Sequence, residues 1–181
     1  MMRGSIPEYF PPAPGLPGDP EAYLQVVENT YVTDAFHSLS IEGYQVSLQL
    51  IKRVRSGTWN PEANEADKSL RDTLAAQGYW RAFQKLKESL TKVIEGGSAG
   101  VIADEDHVGG YRKVIAPSAT TGLVKARDLA GYRNASVYIR RSRHVPLNRD
   151  AVRDALPAFL ERLAQETKPS VRVALGHSVF F

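Results

Sequence analysis

The sequence predicts a mainly α-helical fold with one small β-hairpin, and three observations carry this. Apolar residues recur at helical spacing through most of the chain, most strongly at Tyr79, Phe83, Leu86, Leu90 and Val93. One stretch, Ser136 to Arg143, switches to a period of two. Six of the eleven prolines fall between Pro7 and Pro20, where they oppose helix formation.

Taken in order, residues 1–18 form a proline-rich arm expected to be extended, which Tyr9 and Phe10 can pin to the body. Asp19 and Pro20 then supply an N-cap and a first helical residue, and Tyr23, Val26 and Val27 follow at helical spacing. That first helix ends near Asn29 or continues past it. A second is expected over 43–55, with Tyr44, Leu48, Ile51 and Val54 on its buried face, and SGTWNPE stops it. Residues 67–95 read as one long helix, or as two joined at Gln77-Gly78, closed by EGGSAG. Residues 107–130 suggest short helical pieces around Pro117.

The hairpin is expected over about 132–145, with Val137 and Ile139 on one face and Ser136, Tyr138 and Arg140 on the other. Asp154 can cap a helix burying Phe159, Leu160 and Leu163, and Thr167 and Pro169 open a last helix with Val171, Leu175 and Val179 inward. Three regions result: the arm 1–18, a helical region 19–95, and a region 96–181 that holds the hairpin.

Composition narrows the function classes. With 43% hydrophobic and 24% charged residues the chain matches an ordinary soluble protein, and its apolar runs fall short of a membrane span. Zero cysteines suit a reducing compartment and remove thiolate nucleophiles and cysteine-bound zinc, so a cytoplasmic location is expected. The net charge of +3 is too small to argue for nucleic acid by itself. His37, His107, His144 and His177 show no metal-ligand spacing, and no metal site is expected from this chain.

The residues that carry chemistry each have a plain structural reading beside the functional one. In HSLSIEG, Ser38, Glu42 and Gly43 read on local chemistry as the start of a helix, where a carboxylate favours the positive end of the dipole. Arg133, Arg140, Arg141, Arg143 and His144 suit phosphate or acidic peptide, yet such a run is more often a solvated strand edge. Gly96-Gly97 and Gly109-Gly110 lack the spacing of phosphate loops and read as turns. His177 lies beside an apolar helix face and reads as a core or helix-surface histidine.

Together and in order, LAGYRNASVYIRRSRHVP, a helix-forming stretch and SVRVALGHSVFF resemble the Fic family of protein adenylyltransferases (AMPylators), in the region leading to its core motif. The resemblance implies a Fic-type helical bundle, incomplete at the C-terminus, whose β-hairpin flap has its V-x-I core at Val137, Tyr138 and Ile139. It implies that the flap, Ser136, Val137, Tyr138, Ile139, Arg140, Arg141, Ser142 and Arg143, holds the hydroxyl-bearing segment of a target protein by strand-like pairing. The family's inhibitory helix motif, (S/T)xxxE(G/N), is matched by Ser38, Glu42 and Gly43. In the family this glutamate pairs with an arginine of the core motif and keeps the γ-phosphate of ATP from docking productively, or positions a water for AMP removal.

The core motif HxFx(D/E)GNGRxxR is absent from the 181 residues, so no catalytic residue is assigned. ATP and Mg²⁺ are expected for the complete family enzyme, while this chain alone is expected to be inactive and to bind neither tightly. A second copy of the chain is a candidate partner; a membrane is not, and nucleic acid is disfavoured. Two other readings stay open: a truncated, non-catalytic regulatory or binding module of the same family, and a small basic helical module that binds nucleic acid.

Overall fold

The computed structural model describes residues 2–60, 70–120, 125, 132, 136, 138 and 143–180. It is mainly helical, with α1 (Met2–Tyr9), α2 (Pro20–Ile41), α3 (Leu48–Ser56), α4 (Leu70–Ile94), α5 (Ala99–Thr120), α6 (Arg149–Gln165) and α7 (Pro169–Phe180). No strand occurs among the described residues. The expected flap is therefore not seen: Ser136, Tyr138 and Arg143 are exposed and in no strand, while Val137, Ile139, Arg140, Arg141 and Ser142 lie outside the described residues. No described helix is long and apolar enough to cross a membrane.

The chain divides into two compact units. One comprises Asp19–Thr91 and His107–Gly131. Here α2 starts at Asp19, whose Oδ1 accepts from the Ala22 N–H at 3.0 Å, with Pro20 in the first turn, as the sequence predicts. The helix then runs to Ile41, because no glycine or proline interrupts residues 21–42. Its β-branched residues are weak helix formers, but burying Tyr31, Ala35 and Leu39 on one stripe outweighs that preference.

The second helix begins later than the spacing suggests. The chain turns at Gly43 and stays non-helical to Ser47, whose hydroxyl oxygen accepts from the Leu50 N–H and caps α3. The buried face is consequently Leu50, Ile51 and Val54, and Leu48 is exposed. These residues join Tyr31, Ala35, Leu39, Val46, Ala75, Ala76 and Phe83 in one apolar core. Each fully buried aliphatic side chain contributes about 1.5–3 kcal/mol. Tyr31 packs edge-on against Trp80 at 4.6 Å between ring centroids and lies 4.9 Å from Phe83.

Gly78 is not a joint between two helices; α4 passes through it unbroken. It is a contact point instead, since a Cβ there would sit 1.9 Å from the Val114 carbonyl oxygen of α5. Only glycine lets the two backbones approach so closely. Likewise α5 is one helix, continuous through Gly109, Gly110 and Pro117, where the sequence suggests a turn and short pieces.

The other unit comprises Met1–Gly18, Lys92–Asp106 and Tyr132–Phe181. Part of the expected extended arm is helical: Met2–Tyr9 form α1, in contact with α7, with Pro7 inside. A single proline removes one helical hydrogen bond, whereas Pro11, Pro12, Pro14 and Pro17 follow too densely for the helix to continue. Helix α6 starts at Asn148, six residues before the expected cap, with Asn148 Oδ1 accepting from Ala151 N–H at 2.7 Å. Pro157 is tolerated in its interior because it lies on the exposed side. Between α6 and α7, the buried Glu166 accepts the Lys168 N–H at 2.9 Å, and the Arg172 guanidinium donates to the Glu166 carbonyl. In α7, Val171 is buried as expected.

Candidate functional site

The segment 37–43 lies at the end of a helix, not at its start. Glu42 is the C-cap of α2 and Gly43 follows at φ +83°, a left-handed conformation that suits glycine. The Gly43 N–H donates to the Ser40 carbonyl at 3.0 Å and the Tyr44 N–H to the Leu39 carbonyl at 3.0 Å. These two bonds form a Schellman closure, and the half-buried Tyr44 packs against the same core as Leu39. The local reading of Glu42 is thereby corrected. The last carbonyls of a helix carry about half a negative charge, so a carboxylate there is mildly unfavourable for the helix. The Glu42 side chain is exposed, and beside it Ile41 is 83% exposed.

Helix α4 holds this turn from both sides. The Tyr79 hydroxyl lies 2.6 Å from Asp34 Oδ2 and 3.1 Å from Ser38 Oγ. A phenol has one proton and a carboxylate can only accept, so Tyr79 donates to Asp34 and the Ser38 hydroxyl donates to Tyr79. Burial, and then the bond to Asp34, push the Tyr79 phenol up to about 12, while the Ser38 bond works in the other direction. Beyond Gly43, the Arg71 guanidinium lies over the Tyr44 ring at 4.6 Å, and the buried Asp72 accepts the Gln45 N–H at 3.1 Å. Arg71, Asp72 and Tyr79 follow i, i+1, i+8 spacing, which puts them on one side of α4 about two turns apart.

No family model, curated protein or solved structure matches this chain.

Thr91, Glu95 and Gly96 repeat the spacing of Ser38, Glu42 and Gly43, a second match within the sequence. Gly96 also has a positive φ, +100°, and Gly96 N–H and Gly97 N–H donate to the Val93 and Lys92 carbonyls in the same closure. The Glu-Gly part of the pattern is thus a general way of ending a helix here. What separates the two copies is the hydroxyl. Thr91 Oγ1 donates to the Lys87 carbonyl of its own helix at 3.0 Å, whereas Ser38 is tied to Tyr79 of another.

Asp34, Arg71, Asp72 and Tyr79 were not legible as site residues. Tyr79 and Asp34 are 45 positions apart, and no spacing rule links them. Of the arginine cluster, Arg143 and His144 are exposed, and Arg133, Arg140 and Arg141 lie outside the described residues. Among the described residues no group of three or more histidine, aspartate or glutamate side chains is placed to hold a metal ion.

Proposed function

We propose that the chain is the N-terminal and central part of a Fic-type protein adenylyltransferase, and that Glu42 is its regulatory carboxylate. The complete enzyme transfers AMP from ATP to a serine, threonine or tyrosine hydroxyl of a target protein. No chemical step is assigned to the described residues. The role of this part of the enzyme is control and target binding, the latter at Ser136–Arg143.

The observation that carries the reading is the presentation of Glu42. Its side chain is exposed while its backbone is closed by the Schellman bonds and its flanks are held by α4. With the backbone already held, pairing with a guanidinium costs only the freedom of the Glu42 side chain. Such a pair competes with phosphate for the same cation, since two anions cannot share it cheaply. The position is also mildly unfavourable for the helix, so helix stability does not account for a glutamate there.

The test is the coding sequence immediately downstream of Phe181. A His-Pro-aromatic segment followed by GNGR is expected, and an unrelated sequence or a stop codon would refute the reading. For the chain alone, incubation with labelled ATP, Mg²⁺ and cell extract should give no AMP transfer; transfer above background would contradict it.

A second reading draws on Ile41. Its 83% exposure next to Glu42 suits a non-catalytic module that offers the Glu42 turn to another protein copy. Light scattering showing a monomer at all concentrations, with no shift on adding a longer form of the chain, would remove it.

A further inference from the structure

We infer that Tyr79 is the positioning residue of the Glu42 turn: its hydroxyl, shared between Asp34 and Ser38, ties the last two turns of α2 to α4 and sets where Glu42 stands. The inference deepens the regulatory reading of Glu42 and rests on it for its biological meaning.

Ser38 lies one turn before Glu42, and its carbonyl accepts the Glu42 N–H at 3.2 Å. Whatever fixes Ser38 therefore fixes the turn that carries Glu42. Ser38 is fixed by a chain of two hydrogen bonds, hydroxyl to phenol to carboxylate, whose second step is short at 2.6 Å. Short bonds to an ionised acceptor are roughly twice as strong as neutral ones. Asp34 and Ser38 are one turn apart on α2, so Tyr79 grips the helix at two successive turns. The contrast with Thr91, bonded within its own helix, shows that the motif closes a helix without such a grip. The grip is an addition to the motif, and it is supplied from outside it.

The Tyr79 ring also lies 6.4 Å from that of Tyr31, inside the core cluster. A ring-preserving substitution therefore separates the grip from the packing. In the full chain, Tyr79→Phe should speed hydrogen exchange at the Glu42, Gly43 and Tyr44 amides about tenfold or more, since the bonds to both Asp34 and Ser38 are lost, while the Ile51 and Val54 amides exchange as in the wild type. Asp34→Asn keeps an acceptor and should show a smaller rise at the same three amides. Unchanged exchange at those amides in Tyr79→Phe, or an equal rise throughout α2 and α3, overturns the inference.

Function is read separately. In the protein extended through the core motif, Glu42→Gly should raise AMP transfer severalfold, Tyr79→Phe should raise it less, and the double variant should match Glu42→Gly alone. If Glu42→Gly leaves transfer unchanged, the regulatory reading fails and the exchange result still decides whether Tyr79 positions the turn. If Glu42→Gly activates and Tyr79→Phe does not, the regulatory reading stands and the positioning role is lost.

Discussion

Replacing Gly78 by alanine probes the close approach that places α4. The added Cβ would lie 1.9 Å from the Val114 carbonyl oxygen, 2.8 Å from its carbon and 3.2 Å from its Cα, all backbone atoms that cannot swing aside. Restoring an ordinary contact of 3.4 Å requires the backbones to part by 3.4 − 1.9 = 1.5 Å. Forced overpacking of this kind costs about 3 kcal/mol, the upper end of its usual range, because no rotamer change relieves it. Alanine recovers about 1 kcal/mol of helix propensity, leaving a net loss of about 2 kcal/mol. For a chain of this length that is a fall of about 4–8 °C in Tm.

Gly110 is the control. It lies on α5, where a Cβ meets nothing within 4 Å, so Gly110→Ala should stabilise by about 1 kcal/mol. Urea unfolding followed by far-ultraviolet circular dichroism, compared at equal slope, reads both variants. If Gly78→Ala is as stable as the wild type, the close approach is wrong, and with it the placement of Tyr79 one residue along.

Three further outcomes are expected. The Tyr31 hydroxyl is fully buried with no hydrogen-bond partner among the described residues, and burial pushes its phenol upward; Tyr31→Phe should leave stability unchanged or raise it by about 1 kcal/mol in urea unfolding, and a loss of that size would reveal a hidden partner. Tyr79 has a folded pKa of about 12 against an ordinary 10.0, so its contribution is complete below the unfolded value and disappears as pH rises from 10.0 to about 12. Unfolding midpoints should accordingly fall more steeply over that window for wild type than for Tyr79→Phe, and parallel curves would contradict the shift. Finally, Glu42→Gln should keep or raise stability by a few tenths of a kcal/mol, because the lost charge faces the negative end of α2; a drop of about 1 kcal/mol would assign Glu42 a structural task.

The helical class was legible because periodicity and punctuation are local. Asp19 followed by Pro20 announced the start of α2, and the Tyr79–Val93 spacing announced α4, since each signal is read within a few turns. Where the structure departs from that reading, a competing local signal or the packing decides. Gly43 precedes the apolar spacing of Tyr44, Leu48 and Ile51 and so reads as a helix start; the left-handed closure after Ile41 and the Ser47 cap separate two helices there. Gly109, Gly110 and Pro117 are breakers by propensity, yet α5 continues through them.

The pairing of motif with partner was invisible for a different reason. The sequence by itself determined a helical chain, its principal caps, and a Ser38–Glu42–Gly43 pattern able to end a helix. Only the tertiary structure decided that this pattern is gripped by Tyr79 and Asp34 on one side of Gly43 and held by Arg71 and Asp72 on the other. Hydrogen bonds between residues 27 to 45 positions apart follow from how α2 and α4 pack. No local spacing encodes that packing.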